Sequence, residues 1–321
     1  MKNNIIFTIC SNNYLAKAKV LANSIKKYEP DSLFVIFLCD VKIDSIDYSS
    51  FADEVIPIAE IEPEFMNLAQ KYNIVELNTS LKPRACEFLL IERQVDNVIF
   101  LDPDIKLYNS LTNIYNKLIE STIILTPHIC TPTPMDHRTP GENLFNNFGI
   151  YNLGFIGLSN CPTVLDFLLW WKNHTYHQGF IDVWNGIFVD QLPINHAPIF
   201  FPNVTIELNM GVNMAPWNLH ERYLSINNDS FLVNGTFKLI FYHFSGFETE
   251  SLELPQLYYN RYKLADRPDL TEIYEKYNEE LQAADHSHYR KIKSHYSDIR
   301  NDFIKRSKRG KWLKKIKKIF N

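Results

Sequence analysis

Short, unbroken apolar runs alternate with amphipathic stretches along the first half of the chain, the pattern of buried strands joined by helices. Residues 5–10 and 33–39 are continuous apolar runs, and 55–58 is a shorter third. Between the first two, residues 14–28 place Leu15, Ala18, Leu21, Ala22 and Ile25 on one helical face. A helix is expected to open at Pro63, a residue suited to a first helical position, and another, capped by Thr79 or Ser80, to run through Glu92. Residues 98–105 then form an apolar strand that stops on two carboxylates. Further on, 111–119 and 164–173 read as helices, 122–126 and 148–158 as strands, and 231–244 as two strands turning at Asn234-Gly235. Residues 127–149 have no periodicity and hold Pro127, Pro132, Pro134 and Pro140, which predicts an active-site lid or a disordered segment. Strands too continuous to be half exposed, alternating with helices, predict an α/β fold with a mainly parallel sheet covered on both faces. The pattern divides the chain into an α/β domain at 1–250, a helical C-terminal extension at 251–304 and a basic tail at 305–321.

Composition adds little until charge is mapped along the chain. With 45% hydrophobic and 22% charged residues the protein has an ordinary globular balance. No apolar run approaches the roughly 20 residues of a membrane span, and the N-terminal run is too short for a signal peptide, so the chain is expected in the cytoplasm. Cys10, Cys39, Cys86, Cys130 and Cys161 are scattered and odd in number, which fits reduced thiols better than disulfides or zinc. The net charge of −4 conceals an asymmetry, because residues 305–321 carry nine basic residues and no acid while the remainder holds 24 basic against 37 acidic residues. Within that tail Trp312, Leu313, Ile316, Ile319 and Phe320 recur at helical spacing, with lysines on the flanks and back. This is the pattern of a helix lying on an anionic membrane, so the protein is expected to be peripheral on the inner face of the cytoplasmic membrane. The alternative is a helix packed on the domain with a solvated basic face. An acidic body argues against a nucleic-acid partner.

The candidate chemistry begins at Asp102-Pro103-Asp104. A strand ending in Asp-x-Asp sets two hard oxygen ligands at the carboxyl edge of a sheet, where open α/β folds bind ligands. Mn²⁺ or Mg²⁺ there would take its other ligands from phosphates and water; the plain alternative is a surface turn. Asp102 could bind the metal or the ribose of a nucleotide, and His243 could complete the metal set or be a structural histidine. Lys82 and Arg84 are candidates for phosphate contact, or else a solvated helix start. Thr8 and Tyr14, at the first βα turn, are placed to hydrogen-bond and stack on a nucleotide base, or to pack and cap. Gly154 would let the backbone pass close beneath a sugar, with Asn152 offering its amide. Asp190 and Gln191 are candidates to face the reacting carbon, and Trp217 is either an acceptor platform or core.

The order of these motifs resembles a known family. Thr8-x-x-Ser11-x-x-Tyr14, Lys82-Pro83-Arg84, Asp102-Pro103-Asp104, the stretch Tyr151 to Leu158, Asp190-Gln191 and Tyr242-His243-Phe244-Ser245-Gly246 are similar to GT-A fold glycosyltransferases of family 8, the glycogenin and lipopolysaccharide-galactosyltransferase group and its relatives. The resemblance covers about residues 3–250. It implies a Rossmann-like nucleotide-diphospho-sugar transferase fold, with metal held by Asp102, Asp104 and His243 against the diphosphate of a UDP-sugar, Ser245 and Gly246 beside that donor, and retention of anomeric configuration. It also implies a hexosyltransferase acting on a glycan or lipid-linked acceptor in surface polysaccharide or lipopolysaccharide synthesis. A sugar nucleotidyltransferase shares such a sheet but normally has a Gly-rich loop after the first strand, where this chain has Ser11-Asn12-Asn13-Tyr14. A non-catalytic nucleotide- or glycan-binding protein is the alternative from another class. The family's closing Lys-Pro-Trp is replaced here by Phe247-Glu248-Thr249, and its Asp-Gln-Asp by Asp190-Gln191-Leu192.

Overall fold

The computed structural model describes residues 4–305 except 228, 229, 251, 252, 254 and 257; residues 306–321, which hold the expected interfacial helix, lie outside the described residues. In chain order the elements are β1 (Asn4–Cys10), α1 (Leu15–Tyr28), β2 (Leu33–Leu38), β3 (Glu54–Pro57), α2 (Phe65–Lys71), α3 (Ile74–Ser80), α4 (Lys82–Glu87), β4 (Asn97–Leu101) and β5 (Ile105–Leu107). There follow α5 (Thr112–Lys117), β6 (Ile123–Pro127), α6 (Glu142–Phe148), β7 (Tyr151–Ser159), α7 (Pro162–Gln178), β8 (Ile181–Asp182), β9 (Ile187–Phe188), α8 (Ala197–Phe200) and β10 (Val204–Ile206). The remainder comprises β11 (Leu224–Asn227), β12 (Ser230–Val233), β13 (Phe237–Lys238), β14 (Phe241–His243), α9 (Thr271–Ala283) and α10 (His286–Tyr289).

A seven-stranded sheet in the order β10-β6-β7-β4-β1-β2-β3 forms the centre. Every pairing in it is parallel except the two made by β7. The period of two in the strands sends Phe7, Phe37 and Phe100 to one face, beneath α2, α3, α4 and α7, and Ile6, Ile36 and Ile99 to the other, beneath α1 and α5. Both faces are therefore covered, as the continuous apolar runs require. A third cluster joins Ala16 and Val20 of α1 to Tyr242, Phe244 and Phe247, and these to Tyr274 and Tyr277 of α9, so the C-terminal helices share a core with the first. The Phe244 and Tyr277 rings stack at 3.7 Å. Among the described residues no helix is long and apolar enough to cross a membrane.

Three local expectations need correction. The helix expected to be capped by Thr79 or Ser80 starts at Ile74 instead, because Asn73 Oδ1 accepts the Val75 and Glu76 N–H groups while Glu76 returns a carboxylate to the Asn73 N–H. Thr79 and Ser80 bond back to carbonyls within that helix, and a separate α4 follows, widening into a π-turn at 88–92. The segment 127–149 is not wholly irregular, since its last part is α6, leaving 128–141 as loop. The strand expected over 98–105 breaks after Leu101, where Ile105 N–H bonds the Asp102 carbonyl across a turn.

Candidate active site

The break after β4 creates the site. Because β7 alone runs antiparallel, its beginning, rather than its end, lies beside the end of β4, and Asp102 N–H bonds the Gly154 carbonyl at 2.8 Å. The chain then turns through Asp104 into β5, which pairs antiparallel with β14 in a register that sets Ile105 opposite His243. Phe244 N–H closes the arrangement on the Asp104 carbonyl. His243 Nε2 thus stands 3.0 Å from Asp104 Oδ1 and 3.8 Å from Asp102 Oδ2. One ligand atom from each of the three residues lies within 4.8 Å of the others. Gly154 permits this approach, since a Cβ there would lie 2.4 Å from His243 Cε1. Trp217 meets the imidazole edge-on at 5.1 Å and is buried, which makes it part of the site's wall and not an exposed sugar platform.

Two lysines reach this group. Lys82 is buried in α4, donates to the Leu153 carbonyl, and lies 3.0 Å from Asp190 Oδ2 and 3.9 Å from Asp102 Oδ1. Lys17, from α1, is 3.8 Å from Asp104 Oδ2. Burial pushes the Asp102 and Asp190 carboxyls up, against the pull of the shared Lys82 ammonium. For Lys82 burial disfavours the charge, but Asp190 and Asp102 together hold its pKa above the ordinary value. Burial also opposes ionisation of Asp104, yet His243 and Lys17 outweigh it and bring the carboxyl down to about 2. Of these groups, Asp102, Asp104 and His243 have the chemistry and spacing to hold a divalent cation, while Lys82 and Lys17 balance the carboxylate charge.

The carboxylates open on a cleft of about 370 Å³, whose lining includes Tyr14, Asn152, Ser245 and Gly246 with Asp102, Asp104 and His243. Gly246 has φ +67°, and a Cβ there would collide with the Gln256 side chain at 2.4 Å. Asn152 lines the cleft, but its side chain is engaged within the protein: Oδ1 accepts from Gly154 N–H and Asn213 Nδ2, and Nδ2 faces His128 Nε2 at 3.3 Å. Asp190 and Gln191 are buried just behind. Gln191 ties the start of β7 to the end of α6, accepting from Leu153 N–H and donating to the Phe148 carbonyl. Thr8 and Arg84, like Lys82, Gly154, Asp190 and Gln191, do not line the cleft. Thr8 is enclosed in β1 with no hydrogen-bond partner for its hydroxyl, and Arg84 is held by the Ile61 carbonyl and by Glu92 at 2.6 Å. Sequence reasoning missed Lys17 beside Asp104, and it missed Asn78 and Thr79 of α3 as residues that line the cleft. It also missed His128, whose ring stacks on Phe145 and touches Trp217. Lys17 carries a signal in retrospect, being one helical turn from Tyr14 on the same side.

No family model matches this chain. Over 279 residues it is 25% identical to the uncharacterized protein YfnF of Bacillus subtilis (strain 168), covering 85% of this chain and 90% of that one. It is 24% identical over 279 residues to the uncharacterized protein YfnD of the same organism, covering 84% and 86%. Among solved structures it is similar to the galactosyltransferase LgtC in complex with donor and acceptor sugar analogs, with a TM-score of 0.49 and 15% identity over 87% of this chain and 95% of that one. It is also similar to the bifunctional glycosyltransferase WbbM in its apo form, with a TM-score of 0.47 and 16% identity over 94% and 51%.

Proposed function

We propose that this chain is a metal-dependent GT-A-type glycosyltransferase that moves a hexose from a nucleoside-diphosphate sugar, a UDP-sugar, to a glycan or lipid-linked acceptor in surface polysaccharide or lipopolysaccharide synthesis. The observation that carries the reading is the convergence of Asp102, Asp104 and His243 at the mouth of a cleft on the carboxyl edge of a parallel sheet. Two carboxylates and an imidazole fit Mn²⁺ well and Mg²⁺ less well, and these three residues would hold it. When bound, such an ion neutralises the charge that grows on a departing diphosphate.

The remaining roles fall to side chains around that centre. Lys17, close to Asp104, adds positive charge where the diphosphate would lie, which supplies what the missing Lys-Pro-Trp lysine would give. Lys82 holds Asp190 in place behind the cleft, and Gln191 fixes the β-strand that carries Asn152 and Gly154. Tyr14, at the cleft's edge, stacks on the base. The basic tail at 305–321 holds the enzyme on the cytoplasmic face of the membrane, where lipid-linked acceptors are presented.

A panel of nucleotide sugars tests this directly. One donor should be hydrolysed in the presence of Mn²⁺ and spared after chelation, and NMR of the first-formed sugar should show the donor's anomeric configuration. Binding of nucleotide without turnover of any donor would mark a non-catalytic protein, and pyrophosphorolysis of a sugar nucleotide would mark a nucleotidyltransferase.

A further inference from the structure

Among the described residues, the most exposed large hydrophobic side chain belongs to an element that the proposed chemistry does not use. Between Ile181–Asp182 and Ile187–Phe188 the chain makes a small antiparallel hairpin whose turn carries Trp184, 97% exposed. Gly186 closes the turn at φ +69°. An exposed indole at a hairpin tip does no packing work within the fold, and it gains meaning through the other exposed apolar side chains near the hairpin's base. Its base is rigid. Ile181 N–H bonds Glu76 Oε1, Val189 N–H bonds the Phe180 carbonyl, and the Phe188 ring packs on Phe148.

The anchor at Glu76 identifies the neighbours. Glu76 is buried in the first turn of α3, and its other oxygen lies 3.4 Å from Arg300 Nη1. The hairpin and the C-terminal segment are thus fastened to one side chain, and beyond Arg300 and Asp302 the sequence holds Lys305, which pairs with Asp302 at 3.8 Å, then Arg306, Lys308, Arg309, Lys311 and further lysines with no further acid. Val75 adjoins Glu76 in sequence, Ile181 bonds it and Phe303 follows Arg300 by three residues; all three are about half exposed, and Val75 also lines the cleft. The one carboxylate in the hairpin, Asp182, accepts the Asn185 amide. Exposed apolar and aromatic side chains next to the root of a strongly basic segment match an anionic bilayer surface, where indole rings prefer the headgroup region and lysines neutralise the lipid charge.

We infer that the 181–188 hairpin is a membrane contact, inserting Trp184 into the interface of an anionic lipid surface on the side of the protein where the described chain ends at Lys305, and so setting the mouth of the cleft against that surface. The inference shares with the proposed function only the reading of the tail as lipid-binding. Trp184 supplies apolar insertion, which salt does not screen, whereas the tail supplies charge attraction, which it does.

The test is cosedimentation of the full chain with vesicles of phosphatidylglycerol and phosphatidylcholine, at low and high salt, for the wild type, Trp184→Ser and a form lacking residues 305–321. Trp184→Ser should weaken partitioning on the order of tenfold at both salt levels, with unchanged melting and unchanged hydrolysis of soluble donor. The tail deletion should remove the salt-sensitive part. If Trp184→Ser partitions as the wild type does, the hairpin inference is overturned while the tail reading stands. If only the tail deletion is silent, the tail reading fails and the hairpin inference stands. A Trp184→Ser effect confined to self-association in sedimentation equilibrium, or to the KM for a soluble acceptor, would also overturn it by assigning the hairpin to a second copy or to the acceptor.

Discussion

Gly154→Ala tests the geometry of the metal centre without touching a ligand. An alanine methyl at 154 would lie 2.4 Å from His243 Cε1, 2.7 Å from Nδ1 and 2.8 Å from Asn152 Oδ1. Ordinary contact begins near 3.4 Å, so the imidazole must retreat by about 1 Å from a position walled by Trp217. His243 is buried and cannot swing into solvent, so the strain is expected to cost about 1–3 kcal/mol in stability. Displacing a ligand by disturbing its support typically weakens metal affinity about 10–100-fold. Gly157→Ala, on the same strand, is the matched control, because its nearest neighbour is the Ile124 Cβ at 3.6 Å and there is room. Calorimetric titration with Mn²⁺ in the presence of UDP, alongside thermal melts, reads both quantities. If Gly154→Ala folds and binds Mn²⁺ as tightly as Gly157→Ala, His243 is not a ligand held by this contact and the reasoning fails.

The other predictions concern the surroundings. Burial brings the His128 pKa down to about 4, so below its ordinary 6.5 the unfolded chain takes up a proton that the folded chain refuses. Stability is therefore full above that pH and should fall by roughly 3 kcal/mol between pH 6.5 and 4, a slope that His128→Asn should flatten in urea melts across the range. Arg261 clasps the loop at 128–141 through Asp136 at 2.8 Å and the Pro140 carbonyl at 2.8 Å. We expect that loop to act as a lid, so proteolysis within it should be faster in Arg261→Ala and suppressed in the wild type by UDP with Mn²⁺; equal cutting with and without nucleotide would argue against it. Deleting residues 305–321 should abolish salt-sensitive binding to anionic vesicles while donor hydrolysis continues, and unfolding of the truncated chain would assign the tail to the fold.

The parts of this account that the sequence made legible are those where patterning and chemistry coincide. Buried parallel strands have no solvent face, so β1, β2 and β4 are visible as plain apolar runs, and the abrupt change at Asp102 marks the site. His243 is legible only through the order of motifs, because its approach to Asp104 depends on the β5–β14 pairing across a long sequence separation. The polar residues misled where side chains satisfy backbone groups that cannot be seen in one dimension. Arg84 looks like a phosphate ligand until the Ile61 carbonyl and Glu92 claim it, and Asn152 looks free until His128 and Asn213 use both ends of its amide. Lys17 failed in the opposite sense, since a lysine in an amphipathic helix reads as solvated until α1 is packed beside the carboxylates. The Asn73–Glu76 cap is hard to read in one dimension because Thr79 and Ser80 offer an equally plausible start nearby.

The central claim is that Asp102, Asp104 and His243 form one metal centre on which sugar transfer depends. It is tested most directly by Mn²⁺-dependent hydrolysis of the preferred nucleotide sugar, measured on chelator-stripped wild type, Asp104→Ala and His243→Ala across a Mn²⁺ titration. The wild type should regain activity as Mn²⁺ is added, and each variant should stay lower by about 10²–10³ or more at every concentration while melting as a folded protein. Near-normal Mn²⁺-dependent turnover by His243→Ala, or wild-type turnover that chelation leaves untouched, would contradict it.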